Sequence, residues 1–426
     1  MSSTFHSVTL VDEWCKGCTN CIKRCPTEAI RVRNGKATII NMRCIDCGEC
    51  IRLCPHYAKK AVYDNLDILK NFKYNIALLA PSLYGQFPKL KSSEHLGYAF
   101  LELGFDEVFE VSKAAEIISD ATKKYIKKGD YKKPIINSAC PTITRLIQIR
   151  FPDLLENLLP IITPSELSGL MAKKEAAEKT GLNPEDIGAI FISPCPAKVT
   201  TLKKPIGIEK SHLDGAIAIK EIFPQLLTAL GKNKDKKISA QSGSKGMRWG
   251  ASGGESSAVL EDKYLAADGI ENCIRVLESL ENEKSKLDVE FIELNACPSG
   301  CVGGVLSVAN PFVAMVKLNS LRKGLPDTLN SLNNKEIPEH IKWNQSLDYK
   351  PVMELDTNIL CAMEKLSEID NIEARLHGLD CGSCGSPSCR TFAEDIVRGH
   401  CSINECIFVL RESMQNIAQT IADLNA

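Results

Sequence analysis

Two cysteine runs near the start of the chain have the same spacing. The first reads CKGCTNCIKRCP over residues 15–26, and the second reads CIDCGECIRLCP over residues 44–55. In each run, three cysteines are separated by two residues each, and a fourth follows after three intervening residues, directly before a proline. Three such thiolates can bind three corners of a 4Fe–4S cube, while the displaced fourth cysteine ligates the cube of the other run. The spacing therefore predicts two cubes with exchanged ligands.

The predicted ligand sets follow directly from this exchange. They are Cys15, Cys18, Cys21 and Cys54 for the first cube, and Cys44, Cys47, Cys50 and Cys25 for the second. Between the runs, Asn34-Gly35 predicts a hairpin turn. A pair of zinc ribbons is the alternative, but ribbons use two thiols per half. The pattern resembles a bacterial two-cluster ferredoxin, so we expect a one-electron-transfer domain of the α+β bacterial-type 2x(4Fe–4S) ferredoxin fold over residues 1–68.

Length and composition limit the remaining possibilities. A chain of 426 residues exceeds one ordinary core, and its net charge of −1 does not favour binding to nucleic acid or to an anionic membrane. No apolar run reaches the ~20 residues needed to span a bilayer. The first residues lack the layout of a secretory signal, which predicts a cytoplasmic protein. Most of the 19 cysteines are therefore expected to be metal ligands or catalytic residues rather than disulfides.

The middle of the chain, residues 69–345, alternates apolar strands with helical stretches. Near-continuous apolar strands of this kind predict an α/β domain with mainly parallel sheets. A long predicted helix starts near residue 164, with Ser165 as its cap and a glycine at its end. The predicted strands lie in YNIALLAPS, DEVFEVS, KPIINSACP, DIGAIFISPCP, LDGAIAI and VEFIELNACP.

Four isolated cysteines stand at the ends of three of these strands. They are Cys140, Cys195, Cys297 and Cys301. Ligands of parallel sheets gather at the carboxyl ends of strands, and four thiols are the ligand set of another 4Fe–4S cube. Buried structural cysteine is the alternative for any one of them, and it is the interpretation we favour for Cys273 in a helical stretch.

The segments SACPT (138–142), SPCPAK (193–198) and ELNACPSGCVGG (293–304), in this order, resemble the three signatures of the iron–iron (FeFe) hydrogenases. The resemblance covers roughly residues 5–345. It implies an α/β H-cluster domain in which the four cysteines hold the H-cluster, a 4Fe–4S cube bridged to a diiron unit with CO, cyanide and dithiolate ligands. By the same match, Cys301 supplies the bridging thiolate, and dedicated maturation enzymes supply the diiron unit.

Three further residues match family positions beside the diiron unit. Lys198 matches the lysine that pairs with one cyanide, and Pro81 and Ser82 match the segment that hydrogen-bonds the other. A cationic donor suits a buried anionic ligand. Taken alone, Lys198 would be interpreted as a solvated lysine at the end of a turn.

One position departs from the family pattern where protons are delivered. Highly active members carry a cysteine that relays protons to the cofactor where this chain has Ala139. Alanine cannot carry a proton, so the chain resembles the divergent, sensory branch, and we expect low turnover. Glu255, in the glycine-rich segment MRWGASGGESSAVLE, and Glu293 are candidate substitutes, because a carboxyl in an apolar pocket has a raised pKa. The alternative for Glu255 is a helix-start glutamate stabilised by the helix dipole.

The carboxyl-terminal residues 346–426 contain a last cysteine cluster. It resembles the small helical Fe–S domain of bacterial electron-transport complexes, which implies a third accessory 4Fe–4S cluster. Cys401 competes with Cys406 for the fourth ligand position, and the family spacing favours Cys406. A zinc site stays open as an alternative. The terminal amphipathic helix either caps the domain or contacts a partner. The expected ligands are Cys381, Cys384, Cys389 and Cys406.

The sequence thus predicts a hydrogenase that splits H2 reversibly into protons and electrons. Electrons would pass through the accessory clusters to a ferredoxin-type acceptor or to a signalling partner. Two alternatives remain: a metabolic, ferredoxin-linked hydrogenase, and a hydrogenase-like Fe–S assembly protein without a diiron unit.

Overall fold

A computed structural model of the protein describes residues 5–233, 235–282, 288–333 and 336–425. Short 3-10 turns connect many of the regular elements. The strands are β1 (Val8–Leu10), β2 (Ile30–Arg33), β3 (Lys36–Ile39), β4 (Lys59–Ala61), β5 (Tyr74–Leu79), β6 (Glu107–Glu110), β7 (Ile135–Ile136), β8 (Ile187–Ser193), β9 (Gly215–Ala218), β10 (Tyr264–Asp268) and β11 (Phe291–Asn295).

The α-helices cover both faces of the larger sheet and form most of the carboxyl-terminal region. They are α1 (Glu49–Leu53), α2 (Pro81–Tyr84), α3 (Ser93–Leu101), α4 (Val111–Lys128), α5 (Pro141–Arg150), α6 (Pro164–Thr180), α7 (Pro196–Lys203), α8 (Ile219–Lys232), α9 (Ser244–Arg248), α10 (Gly254–Val259), α11 (Ile270–Glu281), α12 (Pro311–Leu321), α13 (Ile359–Glu373), α14 (Cys389–Val397) and α15 (Ile407–Leu424).

Two parallel sheets form the centre of the molecule. One has the strand order β6-β5-β8-β9 and the other has the order β10-β11-β7, and every pairing within them is parallel. All six predicted strands are confirmed. Strand β10 was not predicted, because its residues are only partly buried and lack a continuous apolar run. Both sheets present the carboxyl ends of their strands to the region where the isolated cysteines lie.

Strand β8 shows why the sequence of the larger sheet is apolar throughout. All of its residues are buried, because helices cover both faces of a parallel sheet. Ile190 and Ile192 pack into the core on one face, whereas Ala189 and Phe191 pack into the core on the other. The strand is therefore held rigidly up to Ser193, two residues before Cys195.

The start of helix α6 differs from the sequence prediction. The cap is Thr163, whose Oγ1 accepts a hydrogen bond from the Glu166 backbone N–H at 3.3 Å, and Ser165 lies inside the helix. Pro164 explains the difference, because proline favours the first helical position and so makes the preceding residue the cap. The predicted terminal glycine is confirmed at Gly181, whose φ is +71°.

The amino-terminal region has the small antiparallel pairs that the ferredoxin pattern implies. Strand β1 pairs with β4, and β2 pairs with β3. The predicted turn is confirmed, since Asn34 and Gly35 both have positive φ, as a tight hairpin turn requires. The bounds expected for the three domains remain predictions, although Val352 and Met353 still pack on the core beside β11.

A buried carboxylate joins the amino-terminal region to the α/β region. Asp46 accepts hydrogen bonds from the Val8 backbone N–H at 2.9 Å and from Thr200 Oγ1 at 2.9 Å. The Arg145 guanidinium lies 3.9 Å from the same carboxylate. A buried charge that satisfies donors from two regions fixes their relative position, because separating them would leave polar groups without partners.

The carboxyl-terminal region docks on the β2–β3 hairpin through a second buried carboxylate. The Asp395 carboxylate accepts hydrogen bonds from Arg31 Nε at 2.6 Å and from Arg33 Nη2 at 2.9 Å. The backbone N–H of Val32 donates to the Gly385 carbonyl at 2.9 Å. Within the described ranges, no helix combines the length and the hydropathy needed to cross a bilayer.

Replacing Asp395 by asparagine should loosen this docking. The substitution removes the counter-charge of Arg31 and leaves Arg33 with Glu405 alone, at 3.8 Å; losing one partner of a buried pair typically costs about 3–5 kcal/mol. We expect faster amide hydrogen exchange in residues 30–39 and in α14, measured by mass spectrometry.

Asp370→Asn is the matched control. Its carboxylate pairs with Arg390 at 3.0 Å, but both side chains are more than half exposed. Exposed pairs contribute little, so this variant should exchange like the wild type. Equal protection of the hairpin in both variants would contradict the docking role of Asp395.

Candidate metal centres and the cavity between the sheets

The four isolated cysteines come together where the two sheets meet. Cys140 follows β7 and caps α5, and Cys195 follows β8 and caps α7. Cys297 follows β11, and Cys301 opens the next 3-10 turn. Strand ends from two sheets therefore supply one cluster of thiols.

Electrostatic coupling shows that the four thiols are neighbours. Burial raises the pKa of Cys195 to about 12, and the charges of Cys140 and Cys301 add to this shift. Burial likewise raises the pKa of Cys297, with further contributions from the other three cysteines. A metal cluster suits such a site, because it binds the thiolates that burial and mutual repulsion otherwise disfavour.

Beside these thiols lies a cavity with about 560 Å³ of space free of protein atoms. Its lining includes every residue that the sequence predicts beside the diiron unit. The predicted residues that line it are Pro81, Ser82, Ala139, Lys198, Glu255, Glu293 and Cys301.

The polar groups of this cavity suit a small anionic ligand. Ser82 Oγ is buried and has no hydrogen-bond partner among the described residues. Gly250 also lines the cavity, and a Cβ at this position would lie 2.8 Å from the Ser82 backbone nitrogen. Lys198 is half-buried, and its Nζ donates to the Ala139 carbonyl at 3.1 Å. A hydroxyl, a close backbone approach and an ammonium group therefore surround the space next to Cys301.

Glu255 and Glu293 form a buried carboxyl pair at the edge of the cavity. Glu293 accepts four hydrogen bonds, from the backbone N–H groups of Gly253 and Ser256, from Ser256 Oγ and from Asn295 Nδ2, at 2.7–2.9 Å. Glu255 accepts one, from Asn137 Nδ2 at 2.8 Å. Because hydrogen bonds to an ionised carboxylate stabilise the charge, Glu293 is the member better suited to hold it.

The pKa shifts agree with this division. Burial, with a smaller contribution from the charge of Glu293, raises the pKa of Glu255 to about 8, while Asn137 and Lys198 oppose the shift. Burial also raises the pKa of Glu293, against the hydrogen bonds of Ser256 and its other donors. Below pH 8, Glu255 therefore favours its protonated form in a cavity where Ala139 offers no ionisable group.

Some polar residues around the cavity were not singled out from the sequence. Asn137 orients Glu255, although it lies 118 positions away along the chain. Glu166, next to the cavity residue Ser165, accepts from Ser211 Oγ and from the His212 backbone N–H, and burial raises its pKa to about 7. For Asn137, the available signal was its position directly before the cysteine signature SACPT. For Glu166, the available signal was its position directly after Ser165, the residue that the sequence predicts as the cap of α6.

The amino-terminal cysteines divide into the two predicted sets. One cavity, with about 330 Å³ free of protein atoms, is lined by Cys15, Cys18, Cys21 and Cys54. The pKa of Cys47 is raised by burial and by the charges of the other members of the second set, which are Cys25, Cys50 and Cys44. The cysteine before each proline thus lies with the opposite run.

The second set adjoins the cysteines of the α/β region. Arg52, in the helix α1 between Cys50 and Cys54, donates to the Gly303 carbonyl at 2.9 Å, and its charge weakly opposes the rise in the pKa of Cys297. A Cβ at Gly48 would meet the Val305 side chain. The second set therefore lies between the first set and the cavity.

The carboxyl-terminal cysteines surround a further cavity, with about 370 Å³ free of protein atoms. Its lining includes Cys381, Cys384, Cys389 and Cys406 but not Cys401. Burial raises the pKa of Cys401 to about 11, and Arg33 is the main opposing charge. Geometry thus agrees with the family spacing in favouring Cys406 as the fourth ligand.

Replacing Cys406 by serine should remove one 4Fe–4S cube, whereas Cys401→Ser should not. The reason is that only Cys406 shares the cavity with the other three thiols. Iron and zinc analysis of reconstituted protein measures this directly, with Cys401→Ser as the matched control. A full iron content in Cys406→Ser, or zinc in the wild-type site, would contradict the assignment.

Comparisons with known proteins agree with this arrangement. The family model "Iron only hydrogenase large subunit, C-terminal domain" matches residues 73–266 and 255–305, which together span more than half of the chain. The model "4Fe-4S dicluster domain" matches residues 7–55, and the model "Putative Fe-S cluster" matches residues 376–408.

Individual relatives share only about a quarter of their aligned residues with this chain. Iron hydrogenase 1 of Clostridium pasteurianum is 26% identical over an alignment of 290 positions, and the match covers 54% of this chain and 50% of that protein. The NADP-reducing hydrogenase subunit HndD of Solidesulfovibrio fructosivorans is 24% identical over an alignment of 348 positions, and the match covers 70% of this chain and 56% of that protein. The chain therefore spans about half the length of these two relatives.

A solved structure of a variant of [FeFe]-hydrogenase HydA1 from Chlamydomonas reinhardtii aligns with a TM-score of 0.47 and 16% identity. The alignment covers 62% of this chain and 90% of that one. The hydrogenase family model spans more than half of the chain, and the dicluster model matches the residues that precede it. The chain belongs to the iron-only (FeFe) hydrogenase family.

Proposed function

We propose that this protein splits H2 reversibly into protons and electrons, with three accessory 4Fe–4S clusters and an H-cluster. The observation that carries the proposal is the convergence of Cys140, Cys195, Cys297 and Cys301 beside a cavity lined by Ser82 and Lys198. Because the first two relatives are about twice as long as their match to this chain, the activity of the whole protein belongs to the proposal.

The cofactor would be held by groups with separate tasks. The four cysteines would ligate the cube, and Cys301 would bridge to the diiron unit. Ser82 Oγ and Lys198 Nζ would donate to its cyanide ligands, and the neighbouring Pro81 would shape the backbone there. When bound, the H-cluster supplies the chemistry of reversible H2 cleavage, and the surrounding residues supply orientation and proton transfer.

Glu255 would hold the proton that must leave the cavity or enter it. A pKa near 8 keeps this carboxyl close to the operating pH, which is the condition for efficient proton exchange. Asn137 orients it by a hydrogen bond to Oε2. Glu293, with its four donors, would keep the negative charge that favours protonation of Glu255.

Electrons would pass through the cysteine sets in their spatial order. The second amino-terminal set adjoins the cavity through Arg52 and Gly303, so it would exchange electrons with the H-cluster first. Cys18 of the first set and Cys381 of the carboxyl-terminal set are exposed. These two sets would therefore exchange electrons with a partner, either a ferredoxin-type protein or a signalling protein.

Ala139 supports a slow, sensory role over bulk turnover. A cysteine at this position could relay protons directly, whereas alanine leaves the task to Glu255. A metabolic, ferredoxin-linked hydrogenase is the second candidate, favoured by the accessory cysteine sets. An Fe–S assembly protein without a diiron unit is the third, and the cavity residues Ser82 and Lys198 weigh against it.

The function is tested by expressing the protein with and without the diiron maturation enzymes. Matured protein should show carbonyl and cyanide infrared bands and measurable H2 uptake and evolution, while unmatured protein should show neither. Cys301→Ser should abolish both in matured protein, because the bridging thiolate is lost. An absence of the bands in matured wild-type protein, with clusters intact, would instead favour the assembly protein.

Glu255→Gln should lower hydrogen evolution by about tenfold or more, since the amide keeps the shape and hydrogen bonding but cannot ionise. The difference from wild type should be largest below pH 8 and should shrink above it, because Glu255 then loses the proton that it donates. The carbonyl and cyanide bands should be unchanged, and one of the infrared bands of buried protonated carboxyls should disappear, while the band of Glu166 stays.

Glu261→Gln is the matched control, because Glu261 is exposed just beyond the same helix. It should retain wild-type activity and the carboxyl signal. Wild-type activity of Glu255→Gln across the range from slightly acidic to slightly alkaline pH would remove Glu255 from the proton route.

A further inference from the structure

The last helix, α15, carries a row of exposed apolar side chains. They are between 43 and 81% exposed, and in the described part of the chain none of them joins the carboxyl-terminal core. Their spacing alternates strictly between three and four residues along the whole helix. The row, named here the α15 seam, consists of Ile407, Leu410, Met414, Ile417, Ile421 and Leu424.

Alternating steps of three and four define the a and d positions of a coiled coil. With Ile407 at a, the a positions hold two isoleucines and a methionine, and the d positions hold two leucines and an isoleucine. Branched residues at a with leucine at d favour a parallel, two-stranded coil. The seam therefore has the pattern of a self-pairing helix and is narrower than the face of a helix that lies on a globular core.

The opposite face of α15 explains why the seam points away from the domain. Phe408 packs against His377, with ring centroids 5.2 Å apart, and Val409 joins the carboxyl-terminal core. Glu412 lies 3.0 Å from His377 Nε2. These contacts hold the first turns of the helix to its own domain, so the seam continues outward from a fixed base.

The residues flanking the seam permit close approach of an identical helix. In a parallel pair, the g position of one chain faces the e position of the next heptad in its partner. Here Ser413 at g would face Ala418 at e, and Thr420 at g would face Asn425 at e. Side chains of like charge would therefore not face each other across the interface.

The apolar area is sufficient for association. Because the seam side chains are 43–81% exposed, the two seams alone present on the order of 700 Å² of apolar surface, and the flanking e and g side chains bring the buried area toward ~1,000 Å². This is the size at which specific interfaces begin. Because α15 holds only a few heptads, the expected association is concentration-dependent.

We infer that α15 pairs with α15 of a second copy of this chain in a parallel, two-stranded coiled coil. Cys406 directly precedes α15 and lines the carboxyl-terminal cavity. In a parallel pair the two helices start at the same end, so the two carboxyl-terminal cysteine cavities would lie near each other at the base of the coil. The inference does not rest on the proposed hydrogenase activity.

Sedimentation velocity of the full chain, over a wide range of protein concentrations, tests the pairing. The wild type should shift from monomer to dimer as concentration rises. Ile417→Glu places a charge at the centre of the seam and should raise the dimer Kd by about tenfold or more. Gln415→Glu, two residues away on the outer face, is the matched control and should keep the wild-type Kd.

A mixture distinguishes parallel pairing from its alternatives. In a parallel coil, residue 421 faces residue 421 of the partner, so Ile421→Glu mixed with Ile421→Lys should form a heterodimer that neither variant forms alone. In an antiparallel coil residue 421 faces residue 410 near the other end of the helix, so the two charges lie far apart and the mixture stays monomeric, which would overturn the inference. A wild type that is monomeric throughout, or an Ile417→Glu variant that dimerises like the wild type, would also overturn it.

Discussion

Burial of thiol groups is the constraint on which the rest of this structure depends. A thiolate in a desolvated site is unfavourable, and several thiolates in one site repel each other as well. The cysteines in the cavity region and in the second amino-terminal set are in this situation, as the raised pKa values of Cys195, Cys297 and Cys47 indicate. Such sites suit a metal cluster, and the surrounding regions are arranged to keep it from water.

The same constraint explains why the regions are joined by buried charges. Asp46 connects the second amino-terminal set to the α/β region, and Asp395 connects the hairpin beside the first set to the carboxyl-terminal region. Both carboxylates are satisfied by groups from the facing region, so sliding or separation would leave them unpaired. The cysteine sets are thereby held in a fixed order, which one-electron transfer between them requires.

The sequence predicted those features that depend on residues close together along the chain. The doubled cysteine runs, the turn at Asn34-Gly35 and the six apolar strands all depend on neighbours within about ten residues, and the structure has each of them. The meeting of Cys140 and Cys195 was also accessible, because the edge of a parallel sheet collects strand ends. The cap of α6 was mistaken by two residues, since Pro164 decided a local choice that composition left open.

Contacts between distant residues were beyond this reasoning, and they matter most for protons. Electron transfer depends on cysteine sets that spacing reveals, whereas the protonation of Glu255 depends on Asn137, 118 positions earlier, and on Glu293, 38 positions later. The pKa of a carboxyl follows from burial and from the charges around it, and neither is written in a motif. Under the proposed function, proton transfer therefore depends on the part of the site that the sequence describes least, because alanine at position 139 offers no group that carries a proton.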